Sequence, residues 1–170
     1  MIDRRRAVGL AFGALAAAWL LQPSPSNADQ AFQRLLPLLI DLDGWQGKKP
    51  DGMTMEMPNA SMTTATRDYQ HGGAQLHASV IIGAAAAGAL AATRSAMNIQ
   101  TSDGHLITST INGLPVTKTF NISQKSGAIM VALGPSALFS VSYNGLTEDD
   151  ALPLAQKFDW KALQAAAQQQ

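Results

Sequence analysis

Four methionines fall within one short stretch, GMTMEMPNASM at 52–62. Met53, Met55 and Met57 alternate with polar residues, and Met62 follows a Pro58-Asn59 turn. Thioether sulfur is a soft, neutral ligand that selects Cu(I) over hard cations. Residues i and i+2 of a strand share one face, so this spacing suits a soft-metal site, with His71 or His77 able to complete the set. The same spacing meets a simpler need. A strand with one buried face wants apolar residues at every second position, and methionine fills irregular gaps in a core. On that expectation Met53, Met55 and Met57 face inward, while Thr54 and Glu56 face water. Cu(I) binding is the alternative, and a flexible apolar binding surface is a third use of methionine.

The histidines carry less information. His71 falls in a turn, His77 on the polar side of its strand, and His105 at a strand start. No two have the close spacing of a zinc pair, and a zinc site needs three or four ligands. The most polar strand end is Arg67-Asp68-Tyr69-Gln70-His71. It is a candidate ligand site at a sheet rim, although paired charges at a strand end are also an ordinary cross-strand device. Trp45, between Gly44 and Gly47, either plugs the edge of the core or presents an aromatic binding surface. Asp41 and Asp43 sit in a glycine-rich loop, where aspartate caps its own backbone. No nucleophile elbow, phosphate-cradling glycine loop or dinucleotide fingerprint is present. The expectation is therefore a protein without a catalytic centre and without a resident cofactor.

The N-terminus bears on where those sulfurs work. Arg4, Arg5 and Arg6 precede an uncharged, mostly apolar run over residues 7–21, then Pro23, Pro25 and the small residues Ser26-Asn27-Ala28. This is the pattern of a cleavable signal peptide over 1–28, with cleavage near Ala28 and a periplasmic or secreted product. The run is too short for a spanning helix, which needs about 20 residues. The arginine cluster also fits twin-arginine export, with Ala7 and Val8 where an aromatic residue or leucine is usual. Loss of Asp3 and the three arginines takes 12 basic and 12 acidic side chains to 9 and 11. No basic run survives, so the electrostatic footprint of a nucleic-acid binder is missing. There is no cysteine, hence no disulfide and no thiolate ligand.

The elements that must position these residues follow from periodicity. Residues 29–40 predict a helix interrupted at Pro37. Alternating runs predict strands at 53–57, 61–69, 75–82, 105–111, 116–122, 128–133 and 137–143. The turn formers His71-Gly72-Gly73, Asn112-Gly113, Lys125-Ser126-Gly127 and Gly134-Pro135-Ser136 separate them. Residues 84–97 are rich in alanine and predict a helix. Thr147 and Asp159 are N-caps for two closing helices, and Trp160 and Leu163 are candidates for the core. One α+β domain over 29–170 is expected, with six or seven mostly antiparallel strands and helices packed on one face, in the order helix, three strands, helix, four strands, helix. This layout is similar in outline to the PsbP/Mog1-like domains of small exported proteins. The likeness is architectural and implies no function. The expected partner is an envelope protein or a small ligand.

Overall fold

The computed structural model describes residues 27–58, 60–93 and 98–169; the side chains of 27–30, 92 and 93 are not described. The arginine cluster and most of the expected signal peptide lie outside these residues, as does the end of the expected helix at 94–97. The described residues fold as one antiparallel sheet with four helices. Helix α1 (Asn27–Leu35) runs into a 3-10 turn at Leu36–Leu38, where Pro37 ends the regular helix. Strands β1 (Gln46–Gly47), β2 (Asp51–Met57), β3 (Ala60–His71) and β4 (Ala74–Gly83) follow, then helix α2 (Ala84–Thr93). A second group comprises β5 (Asn98–Gln100), β6 (Gly104–Ile111), β7 (Leu114–Asn121), β8 (Ser126–Gly134) and β9 (Ala137–Asn144). Helices α3 (Glu148–Gln156) and α4 (Trp160–Gln168) close the chain.

Each of the seven expected strands is present, and two short ones are added, giving nine among the described residues. Strands β1 and β5 have only two and three residues, too few to show alternation. The spatial order is β1-β3-β4-β9-β8-β7-β6-β5, with β2 also paired to β3. Two hairpin-built groups thus meet along the single seam β4–β9. The turn between β6 and β7 places Asn112 and Gly113 at φ 53° and 80°. Positive φ at both central positions is what a two-residue hairpin turn needs.

Strand alternation divides the sheet into two unlike faces. One presents Ala65, Tyr69, Leu76, Val80, Val116, Ile129, Val131, Phe139 and Val141 to a core closed by Leu35, Ala151, Ala155, Phe158, Trp160 and Leu163. Helices α1, α3 and α4 all lie on this side. The N-caps form as expected: Thr147 accepts from Asp150 N at 3.2 Å, and Asp159 from Ala162 N at 2.9 Å. Pro153 sits inside α3 without shortening its start.

The expectation that all helices share one face is corrected by α2. Its Ala86 and Leu90 pack against Ile81, Leu138, Met130 and Ala132, the opposite set of side chains. Topology supplies the reason. The connection from β4 must reach β5 at the far edge, five strand spacings or about 24 Å away, and the first face is already covered. Gly83 starts the crossing at φ 114°, where a Cβ would collide with the Ser61 carbonyl. Among the described residues no helix is long and apolar enough to cross a membrane.

Candidate functional site

The polar run 67–71 does not act as one unit. Alternation sends Arg67, Tyr69 and His71 to the helix-covered face and Asp68 and Gln70 to the open one. Arg67 is almost enclosed, with its side chain 10% exposed. It donates to the carbonyls of Lys48 and Leu39 at 2.7 Å each, pairs with Asp41, and lies 5.2 Å over the Tyr69 ring. Tyr69 donates to the Ile40 carbonyl at 2.7 Å, and burial pushes its hydroxyl up to about 12. His71 donates from Nδ1 to the Gly44 carbonyl at 2.5 Å and rests against Trp45, centroid to centroid 5.4 Å. Trp45 is half-buried against the core edge. Arg67, Tyr69 and His71 tie β3 to the 39–48 loop through hydrogen bonds to its carbonyls and to Asp41.

The open face carries a groove of about 680 Å³ at the end of β3, β4 and β9 remote from α2. Two cross-strand rows form its floor. In the first, direct register partners are Gln46, Gln70, Gln75 and Asn144. Neighbouring strands are about 4.8 Å apart, so four amides span about 14 Å. Among the described residues none of these amide side chains has a hydrogen-bond partner. In the second row Asp68, His77 and Ser142 are register partners. His77 donates from Nδ1 to Asp68 at 2.7 Å, and Lys48 Nζ donates to the same carboxylate at 3.2 Å. Hydrogen bonds from His77 and then Lys48 hold the Asp68 carboxyl below its usual range. An ionised carboxylate orienting a histidine beside a serine has the composition of a hydrolytic triad. Here no hydrogen bond joins His77 to Ser142 among the described residues, and His77 and Asp68 are about half open to water. The row offers donors, acceptors and internally paired charge, and its serine has no base engaged with it.

A second cluster of a lysine, a histidine and a carboxylate lies on the covered face. Glu148, first residue of α3, binds Lys118 Nζ at 2.5 Å and His105 Nε2. Burial alone would raise the Glu148 carboxyl; the hydrogen bonds from Lys118 and His105, reinforced by their charges, outweigh it and hold the group below its usual value. The Phe120 ring stacks on Tyr143 and meets the His105 ring at a tilt. Tyr143 is buried, which pushes its hydroxyl up to about 12, and that hydroxyl has no partner among the described residues.

The methionines require a correction. Register pairs Met53 with Thr64, Met55 with Met62 and Met57 with Ala60, all on the open face. Gly52 and Thr54 are the inward positions: Gly52 lies under the Phe32 ring, and Thr54 meets buried Thr63 at 3.1 Å between hydroxyl oxygens. The buried residues of β3 decide this. Ala65 and Tyr69 occupy odd positions, so the even positions and the methionines opposite them face out. Neither histidine named as a metal partner joins them. His71 is on the other face, and His77 pairs with Asp68, six residues along β3 from Met62, about 20 Å away.

Lys48, Gln46, Gln75, Ser142 and Asn144 were not legible as site residues, because each is an ordinary polar residue until the register aligns it. The one available signal was the strand-end polarity around Asp68. Among the described residues no group of three or more His, Cys, Asp or Glu is placed to hold a metal ion. Comparison with protein-family models, with curated proteins and with solved structures finds no match to this chain.

Proposed function

We propose that the chain is an exported, non-catalytic binding or accessory protein of the cell envelope, which takes a small, uncharged polar ligand in the open-face groove. The row Gln46–Gln70–Gln75–Asn144 carries this reading. Four side-chain amides without hydrogen-bond partners among the described residues offer paired donors and acceptors along about 14 Å of floor. The charged groups beside them neutralise one another, which leaves no free charge to select an ion. Export is supported by Arg4–Arg6, the apolar run and Ser26-Asn27-Ala28. The outline likeness to PsbP/Mog1-like domains accords with a small exported domain and supplies no function.

Two measurements test the reading. Mass spectrometry of the protein from an envelope fraction should find Asp29 at its N-terminus; an intact Met1 terminus refutes export. Backbone and side-chain amide NMR with a panel of neutral oligosaccharides, and of anionic and cationic small molecules, should move the signals of Gln70, Gln75 and Asn144 with neutral compounds. Q70A/Q75A should abolish the shifts. A response to ions alone, or one that survives Q70A/Q75A, overturns the groove assignment.

A further inference from the structure

The outward facing of Met53, Met55 and Met57 removes the explanation that best accounted for their spacing. Apolar alternation in a strand normally reflects a core, yet the core side of β2 is made by Gly52 and Thr54. The three methionines are 49%, 41% and 54% exposed, three of the six large apolar side chains that stand exposed among the described residues. They lie on one face, with Met62 the direct cross-strand partner of Met55.

We propose that Met53, Met55, Met57 and Met62 form a thioether site for a soft monovalent cation, Cu(I) or Ag(I). Met55 and Met62 face each other with Cβ atoms about 5 Å apart. Met53 and Met57 flank Met55 at about 6.8 Å along the strand. Each side chain is unbranched with three rotatable bonds, so an ion midway between Met55 and either flanking methionine, about 3.4 Å along the strand from each, is within reach of both sulfurs and of Met62; the four methionines thus offer two overlapping three-sulfur positions for one ion without a change of backbone. Neutral sulfur alone offsets no ionic charge, so the set favours a soft monovalent ion over the divalent ions that take imidazole or carboxylate. The local field agrees. Between Pro50 and Thr66 the chain has Asp51 and Glu56 and no basic residue. Arg67, the next basic residue, is turned to the other face and already bound to Asp41. The site is separate from the groove and stands whether or not the groove binds a ligand.

The test is an anaerobic Cu(I) titration of the full chain against a chromophoric Cu(I) chelator, with Ag(I) titration followed by NMR of methionine methyl groups labelled with 13C. One ion per chain is expected, with methyl shifts at Met53, Met55, Met57 and Met62 and none at Met130, which lies under α2. M55L/M62L keeps the apolar surface and removes two sulfurs, and should weaken Cu(I) binding at least about tenfold with an unchanged urea midpoint. H77N should leave the affinity unaltered. The proposal is overturned if wild type binds no tighter than M55L/M62L, if H77N weakens binding as much, or if Met130 shifts with the others. A patch used only for apolar contact with another protein gives the first of these results.

Discussion

Two clusters in this protein are each built from one lysine, one histidine and one carboxylate. Lys118–Glu148–His105 lies on the covered face and Lys48–Asp68–His77 on the open one; in each, one carboxylate binds both a lysine and a histidine. Their surroundings differ. Side chains of the first are 16–24% exposed, whereas Asp68, His77 and Lys48 are 49%, 47% and 78% exposed. Charges removed from water need every partner they have, since an unpaired buried charge costs several kcal/mol. Charges left in water are solvated either way, and an exposed pair contributes roughly 0–1 kcal/mol. The first cluster therefore fastens the N-terminus of α3 to β6 and β7. The second contributes little to the fold and gives up little if its partners change.

The sharpest way to break this comparison is E148Q, which leaves Lys118 and His105 without their counter-charge. Urea denaturation should show a loss of about 3 kcal/mol; a loss near that of an exposed pair would erase the distinction. The same variant carries a pH prediction. Because the folded Glu148 carboxyl is depressed, its contribution is complete above the ordinary value of 4.5 and is lost as pH falls through the lower folded value. The gap between the unfolding midpoints of wild type and E148Q should therefore begin to narrow below pH 4.5 and close once pH lies below the folded value, and a gap that does not narrow below pH 4.5 refutes the assignment.

Two tyrosines give opposite, smaller effects. Y143F removes a buried hydroxyl that has no partner among the described residues, and should stabilise the fold by up to about 1 kcal/mol. Y69F removes the bond to Ile40 and should cost about 1 kcal/mol. Equal responses would show that the region around Glu148 is no more sensitive to polar satisfaction than the loop anchor. The smallest change is expected for D68N. Stability should move by no more than about 0.5 kcal/mol, while the His77 ring signals shift in NMR because Nδ1 loses its carboxylate partner. A loss of about 2 kcal/mol, beyond the range of exposed pairs, would mean that the open-face cluster also holds the fold together.

Much of the fold was legible in the chain. The β6–β7 hairpin was readable because Asn112-Gly113 is a local conformational requirement, and β9 because Phe139, Val141 and Tyr143 alternate within one short run. The end of α1 followed from the ring of Pro37, and the starts of α3 and α4 from Thr147 and Asp159. Strands β1 and β5 were missed because they have no periodicity of their own and exist by pairing with β3 and β6. The candidate sites were less legible. Asp68 stood out within a polar strand end and His77 on the polar side of its strand, but nothing local joins Gln75 to Asn144. His105 read only as a strand start and Glu148 lay just past the Thr147 cap; the hydrogen bond between them spans 43 residues.

The methionine strand shows where local reading stops. Alternation established by itself that Met53, Met55 and Met57 share a face, because side chains repeat every two residues in any extended chain. It could not establish which face, because a period of two is unchanged when the strand turns over. That choice came from the pairing of β2 with β3, whose Ala65 and Tyr69 are committed to the core, and from the seam between β4 and β9 that joins the two halves of the sheet. The sequence alone determined strands, turns and caps, which depend on neighbours along the chain. Tertiary structure decided which side chains meet, because register between distant strands is set by burial of the whole sheet.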